Sequence, residues 1–214
     1  MRKIFEEKIE NKIDNLTIEK LKKEHITEAV NVHMKAFPTF FLTFLGPTFL
    51  KEFYKSFLYD SQGIGFIAID NDTEKIIGVI VGPLNPQGYF KRLLKKKWFS
   101  FCIASISAVI KKPSVIKRLF KAVFYRGESP QGIDRSLLSS IAVSPDVQGK
   151  GTGNALVLRW LEEVKSRGSK GAFLTTDAEN NESVNKFYQK IGFTLESSYS
   201  TPEGRKMNRY IYDF

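Results

Sequence analysis

Apolar and polar positions alternate over Leu16-Thr-Ile-Glu-Lys-Leu21, which predicts a first β-strand. From Glu24 to Phe37 the period changes: Ile26, Ala29, Val30 and Met34 recur at helical spacing, and Pro38 stops the helix. Residues 39–59 are Phe-rich and predict a helix broken near Gly46-Pro47. Two apolar runs, 65–70 and 75–82, flank the polar turn Asn71-Asp-Thr-Glu74 and predict a hairpin. In the second half, strands are expected over 136–143 and 171–176, with helices over 152–167 and 182–191. Val184, Phe187, Tyr188 and Ile191 fall at i, i+3, i+4 and i+7 on the last of these, and Gly192 closes it. Residues 193–200 and 205–212 read as a closing strand pair.

The segment between the two halves breaks this order. Tyr89, Phe90, Leu93, Leu94 and Trp98 repeat at helical spacing, as do Val115, Ile116, Leu119, Phe120, Val123 and Phe124 behind Pro113. Between Asn85 and Arg126 there are eleven Lys and Arg residues and no Asp or Glu. The chain's net charge is +10, so without this stretch it is close to neutral. The basicity belongs to one insert of short amphipathic helices and asks for its own explanation. Residues 1–13 alternate charges, carry no apolar run, and predict an N-terminal extension rather than a secretory leader. The longest nearly uncharged apolar run, Trp98 to Ile110, has 13 residues, short of the ~20 that span a bilayer.

At 214 residues the chain predicts one domain over 14–214, with the insert at 85–126 as an elaboration. A single cysteine excludes a disulfide scaffold and any multi-cysteine metal site, and two histidines, His25 and His33, exclude His-rich metal chemistry. No metal is expected, and a reducing, cytoplasmic setting is.

Chemistry concentrates at Gln148-Gly-Lys-Gly-Thr-Gly153, a glycine-rich turn between a strand and a helix. Such a turn lets the backbone approach an anion while the first N–H groups of the helix point at it. A P-loop would need glycine where Ser144 stands and a hydroxyl where Gly151 stands. A dinucleotide fingerprint starting at Gly149 would need glycine where Asn154 stands. Both fail.

The turn instead resembles the Gln/Arg-x-x-Gly-x-Gly/Ala signature of the GNAT superfamily of N-acetyltransferases. Ile141-Ala-Val-Ser-Pro-Asp146 before it is similar to that family's strand-and-proline entry, and Asn181-Glu-Ser-Val-Asn-Lys-Phe-Tyr188 with Gly192-Phe193 matches a second block. The resemblance is close over 137–193 and absent over 85–126. It implies an α/β fold: a mixed, mostly antiparallel central sheet with a splayed parallel strand pair, flanked by helices. It further implies acetyl-CoA lying between those strands. The backbone of Ile141, Ala142 and Val143 would meet the pantetheine arm. Gln148, Gly149, Lys150, Gly151, Thr152, Gly153 and Asn154 would hold the pyrophosphate. Asn181 and Phe187 would approach from the other side. Tyr188 would act as general acid toward the thiolate that leaves.

The proton acceptor departs from the family's pattern, because Leu137 occupies the position where many relatives carry Glu. Asp134, Asp177 and Glu179 remain, with Asp177 the expected catalytic carboxylate and a water relay the other route. His25 and His33 are expected to pack or face solvent. The implied activity is acetyl transfer to a primary amine. O-acetylation of a sugar-type or anionic acceptor, or a non-catalytic CoA-binding docking module, are its rivals. The Phe37–Phe41 stretch is expected as an apolar acceptor wall. The insert is expected as a cationic lid, as a contact to the anionic inner face of a membrane through Trp98, Phe99, Phe101 and Ile103, or as a binder of an anionic acceptor. No nucleic-acid motif accompanies its charge.

Overall fold

A computed structural model of the chain describes residues 15–93, 95, 101, 134–202 and 204–214. The expected N-terminal extension and most of the basic insert lie outside the described residues.

The elements run β1 (Leu16–Lys20), α1 (Ile26–Ala36), α2 (Phe41–Phe44), α3 (Pro47–Tyr59), β2 (Gly63–Asp70), β3 (Lys75–Pro83), β4 (Arg135–Leu137), β5 (Ser140–Val143), α4 (Thr152–Ser166), β6 (Gly171–Asp177), α5 (Glu182–Ile191), β7 (Thr194–Ser200) and β8 (Lys206–Asp213). Two four-stranded sheets form, in the orders β1-β2-β3-β5 and β4-β6-β8-β7. The pairs are antiparallel except β4 with β6, which run parallel. The alternation of β2 and β3 sends Ile67, Val79 and Val81 to one face and Phe66, Ala68 and Ile80 to the other. On the first face α1 and α3 bury Val30, Leu50, Phe53 and Tyr54. On the second, α4 buries Leu156, Val157, Trp160 and Leu161, and α5 adds Tyr188.

The strand expected over 136–143 is two strands. Leu138 donates its N–H to Phe173 of β6 at 2.9 Å, and Ser139 donates to Val81 of β3 at 3.0 Å. Ser140 is also the register partner of Val81, so two residues face one and the chain bulges as it changes sheet. Gly82 permits the crossing: a β-carbon there would sit 2.0 Å from the Leu137 carbonyl oxygen. Beyond this vertex β5 follows β3, β6 follows β8, and the sheet opens into a V.

The start of the insert is anchored in the core. Residues 89–93 are helical, with Tyr89 stacked on Phe57 and its hydroxyl donating to the Ser56 carbonyl at 3.0 Å. Phe101 packs against Phe49, ring centroids 5.1 Å apart, and is buried. That corrects its expected place among surface anchors; Trp98, Phe99 and Ile103 lie outside the described residues. Among the described residues no helix is long and apolar enough to cross a membrane.

Candidate active site

The glycine-rich turn sits at the open end of the V, between β5 and α4. Gly149 and Gly151 both adopt positive φ, +79° and +95°, and a β-carbon on either would meet nothing within 4 Å. Gly151 is the N-cap of α4, and no side chain caps it. The first bond of the helix runs from Ala155 N–H to the Gly151 carbonyl, so the N–H groups of Thr152, Gly153 and Asn154 have no intrahelical acceptor. Open space, uncapped donors and the positive end of a 15-residue helix suit a pyrophosphate, and Lys150 adds a cation at the rim. Gln148 is occupied: its side-chain amide donates to the Val143 carbonyl at 3.2 Å, and its N–H to Pro145 at 3.4 Å.

The two arms differ in what their backbones offer. Ser144 donates to Ile77 at 2.8 Å, and alternation along the ladder then turns Ala142 and Ser140 toward β3. The N–H groups of Ile141 and Val143 point the other way, across the V. An extended arm laid there would add to β5 as a strand, using Ile141 and Val143 but not Ala142.

From the far side come α5 and its N-cap Asn181. The Asn181 amide donates to Thr176 Oγ1 at 2.8 Å and to the Asp177 carbonyl at 3.1 Å, which pins the start of α5 to the end of β6. Phe187 reaches back to the turn: a β-carbon on Gly153 would lie 3.3 Å from its Cζ and 3.7 Å from Val143 Cγ2. Tyr188 is buried with Leu138 and Leu174, the residues flanking the vertex, and its ring packs edge-on to Phe187 and Phe193. Burial pushes its phenol well above the usual range, so the hydroxyl keeps its proton and can donate it.

Every candidate proton acceptor has a cationic partner. Arg205 grips both oxygens of Asp177, at 2.7 and 2.6 Å, Lys206 holds Glu179 at 2.7 Å, and Lys170 lies 3.2 Å from Asp134. Leu137 is buried in the core. His33 is buried between α1 and α3 with Nδ1 2.8 Å from the Tyr54 hydroxyl, whereas His25 Nδ1 accepts from the Lys22 N–H at 3.2 Å at the start of α1. In the Phe37–Phe41 stretch Phe37 packs against Phe40 at 4.9 Å, and Phe40 and Phe44 are exposed. Among the described residues no group of His, Cys, Asp or Glu could hold a metal ion.

Two features were not anticipated. One is the bulge at Ser139, whose Oγ is buried without a hydrogen-bond partner. The other is an ionic cluster of Arg135, Glu196, Arg209 and Asp213 on the α1–α3 face of β4, β7 and β8. The alternation of β8 does place Arg209 beside Ile211, but nothing in the sequence pairs it with Glu196.

A model of the Acetyltransferase (GNAT) family matches residues 27–193. The [ribosomal protein bS18]-alanine N-acetyltransferase of Escherichia coli is 32% identical over 78 residues, 35% of this chain and 52% of that protein. A mycothiol acetyltransferase of Renibacterium salmoninarum is 32% identical over 71 residues, 32% of this chain and 21% of that protein. The chain thus spans about half the length of one curated relative and a fifth of the other. Among solved structures, the Escherichia coli S18-alanine enzyme superposes with a TM-score of 0.57 at 18% identity, over 92% of this chain and 93% of that one. A chimera of the Vibrio cholerae spermidine N-acetyltransferase gives 0.56 at 15%, over 94% and 96%. These likenesses carry the fold.

Proposed function

The chain belongs to the acetyltransferase (GNAT) family, and on that premise we propose that it transfers an acetyl group from acetyl-CoA directly to a primary amine. The observation that carries this is the pair of positive-φ glycines opening onto the uncapped N-terminus of α4 at the mouth of the V. Bound there, acetyl-CoA supplies an activated acyl group and a thiolate that departs.

The backbone N–H groups of Gly149 to Asn154, with Lys150, hold the pyrophosphate. Ile141 and Val143 hold the pantetheine as an added strand, and Phe187 closes over it. The N–H groups of Leu138, Ser139 and Ser140 are spent on β6 and β3, so the Ile141 N–H is the first backbone donor across the V beyond the vertex, where negative charge develops on the thioester oxygen. Tyr188 donates to the departing sulfur. Its raised proton affinity makes it a hydrogen-bond donor throughout the step rather than a full acid before it.

Asp177 stands on the acceptor side of β6. With both oxygens on Arg205 it orients charge at the mouth of the V, and a water carries the amine proton away. The pairing of Asp134, Asp177 and Glu179 with cations favours one second reading, a CoA-binding module without turnover. Thiol release decides between them, measured with a panel holding an alanine-terminated peptide, spermidine and an amino sugar. Binding of acetyl-CoA with saturable release on one of these amines supports transfer. Binding without release on a broad panel supports the module.

The basic insert carries eleven Lys and Arg residues and no Asp or Glu, and an anionic acceptor or anionic lipid surface is its proposed partner.

A further inference from the structure

Arg209 is a buried cation whose Nη2 has no hydrogen-bond acceptor, and it lies over Phe173 at the vertex. Its guanidinium lies over the Phe173 ring, 4.5 Å from the centroid, and the residue is 9% exposed. Phe173 is the last β6 residue held by the other arm, through Leu138, and the V opens beyond it. Thr175, two residues on and exposed, is the register partner of Arg209. The guanidinium is therefore one strand away from the opening edge, on the face opposite α4.

The partners of Arg209 do not satisfy it. Its Nε lies 2.8 Å from Glu196 Oε2, close but not aligned as a hydrogen bond, and Nη2 has no partner. Glu196 reaches it from the irregular step between Leu195 and Ser197 of β7, and shares itself with Arg135 at 3.5 Å. Arg135 is already held by Asp213 through two hydrogen bonds of 2.6 and 3.0 Å. An orphaned guanidinium N–H away from water calls for an anionic oxygen.

Resting on the transfer reaction above, we propose that Arg209 anchors a carboxylate of the acceptor, so that the substrate class is an amino acid whose carboxylate lies within a few bonds of the attacked amine. Glu196 already offsets much of the charge, so the residual demand matches a singly charged, planar group better than a phosphate dianion. The strand spacing of ~4.8 Å between β6 and β8 sets the short reach from amine to anion. Arg209 is then a specificity-determining residue and takes no part in proton transfer.

The test is acetyl-CoA turnover by the full chain with matched pairs: β-alanine against ethylamine, and L-phenylalanine against phenethylamine. The acids are expected to be preferred by at least tenfold in kcat/KM. Arg209→Gln should abolish the preference by raising KM for the acids alone, while acetyl-CoA affinity stays unchanged; Arg209→Lys should restore part of it. Comparing variant with parent cancels the difference in amine basicity, and the parent comparison stands even if a variant does not fold. Equal use of acid and amine overturns the proposal. So does an unchanged preference in Arg209→Gln, or a chain that binds acetyl-CoA and acetylates no acid. Failure to bind acetyl-CoA is seen separately and overturns the transfer reaction as well.

Discussion

Gly153 and Phe187 hold the two halves of the site together: a β-carbon on Gly153 would come within 3.3 Å of the phenylalanine Cζ. Thirty-odd residues apart in the chain, they bring the first turn of α4 against the exposed flank of α5. Alanine at 153 gains up to ~1 kcal/mol of helix propensity over glycine, but the ring must yield by a few tenths of an ångström. Gly153→Ala is expected to leave the melting temperature nearly unchanged and to weaken CoA binding several-fold. A double-mutant cycle with Phe187→Leu should show coupling above ~0.5 kcal/mol in binding; additive effects would separate the two residues.

Tyr188→Phe keeps the buried ring and removes the donor. A lost general acid costs ~10²–10⁴ in rate. The loss should fall on kcat with CoA affinity intact, and a variant with unchanged kcat would return Tyr188 to packing alone.

Much of this arrangement is legible in the sequence. The glycine turn and the Asn181–Phe193 block fall where their residues say, because capping and periodicity are local properties. Helix 182–191 has the expected bounds for that reason. The break at Leu138–Ser139 was not legible. A run of Leu, Leu, Ser, Ser, Ile alternates too weakly to betray a change of sheet, and the signal for it, Gly82, lies over fifty residues upstream. The pairing of Asp177 with Arg205 was hidden likewise, since it depends on the register of β6 against β8.

Glu163 gives a pH test of how α4 is tied to the sheet. Burial alone would raise its carboxyl, but the Arg167 hydrogen bonds of 3.0 and 2.8 Å and the Lys20 charge at 3.4 Å outweigh it and hold the group below the ordinary carboxylate value. A lowered folded-state value stabilises the fold above the unfolded value and loses that contribution as pH falls through the folded one. The gap in melting temperature between parent and Glu163→Gln should therefore be widest at neutral pH and close as pH falls below ~4. A gap that does not change with pH would assign Glu163 a packing role only.

Reversing Lys95, Lys96 and Lys97 to Glu should leave CoA binding and melting temperature unchanged: Lys95 is exposed, and solvated charges contribute little to stability. Pelleting with anionic phosphatidylserine vesicles at low salt should fall, and its salt dependence with it. Unfolding or lost CoA binding would make the segment part of the core instead. Full pelleting would make its cationic face plain solvated surface.

Calorimetric titration of CoA into the parent chain and into Gly151→Asp tests the central claim most directly. Gly151 holds φ +95° with open space before it, and aspartate there would put a carboxylate where the pyrophosphate is proposed to sit. The parent should bind one CoA per chain. The variant, compared at a temperature where circular dichroism shows it folded, should lose more than tenfold in affinity, ~1.4 kcal/mol or more. Equal affinity in the two, or no binding by the parent, would contradict the assignment of the glycine turn as an acetyl-CoA cradle.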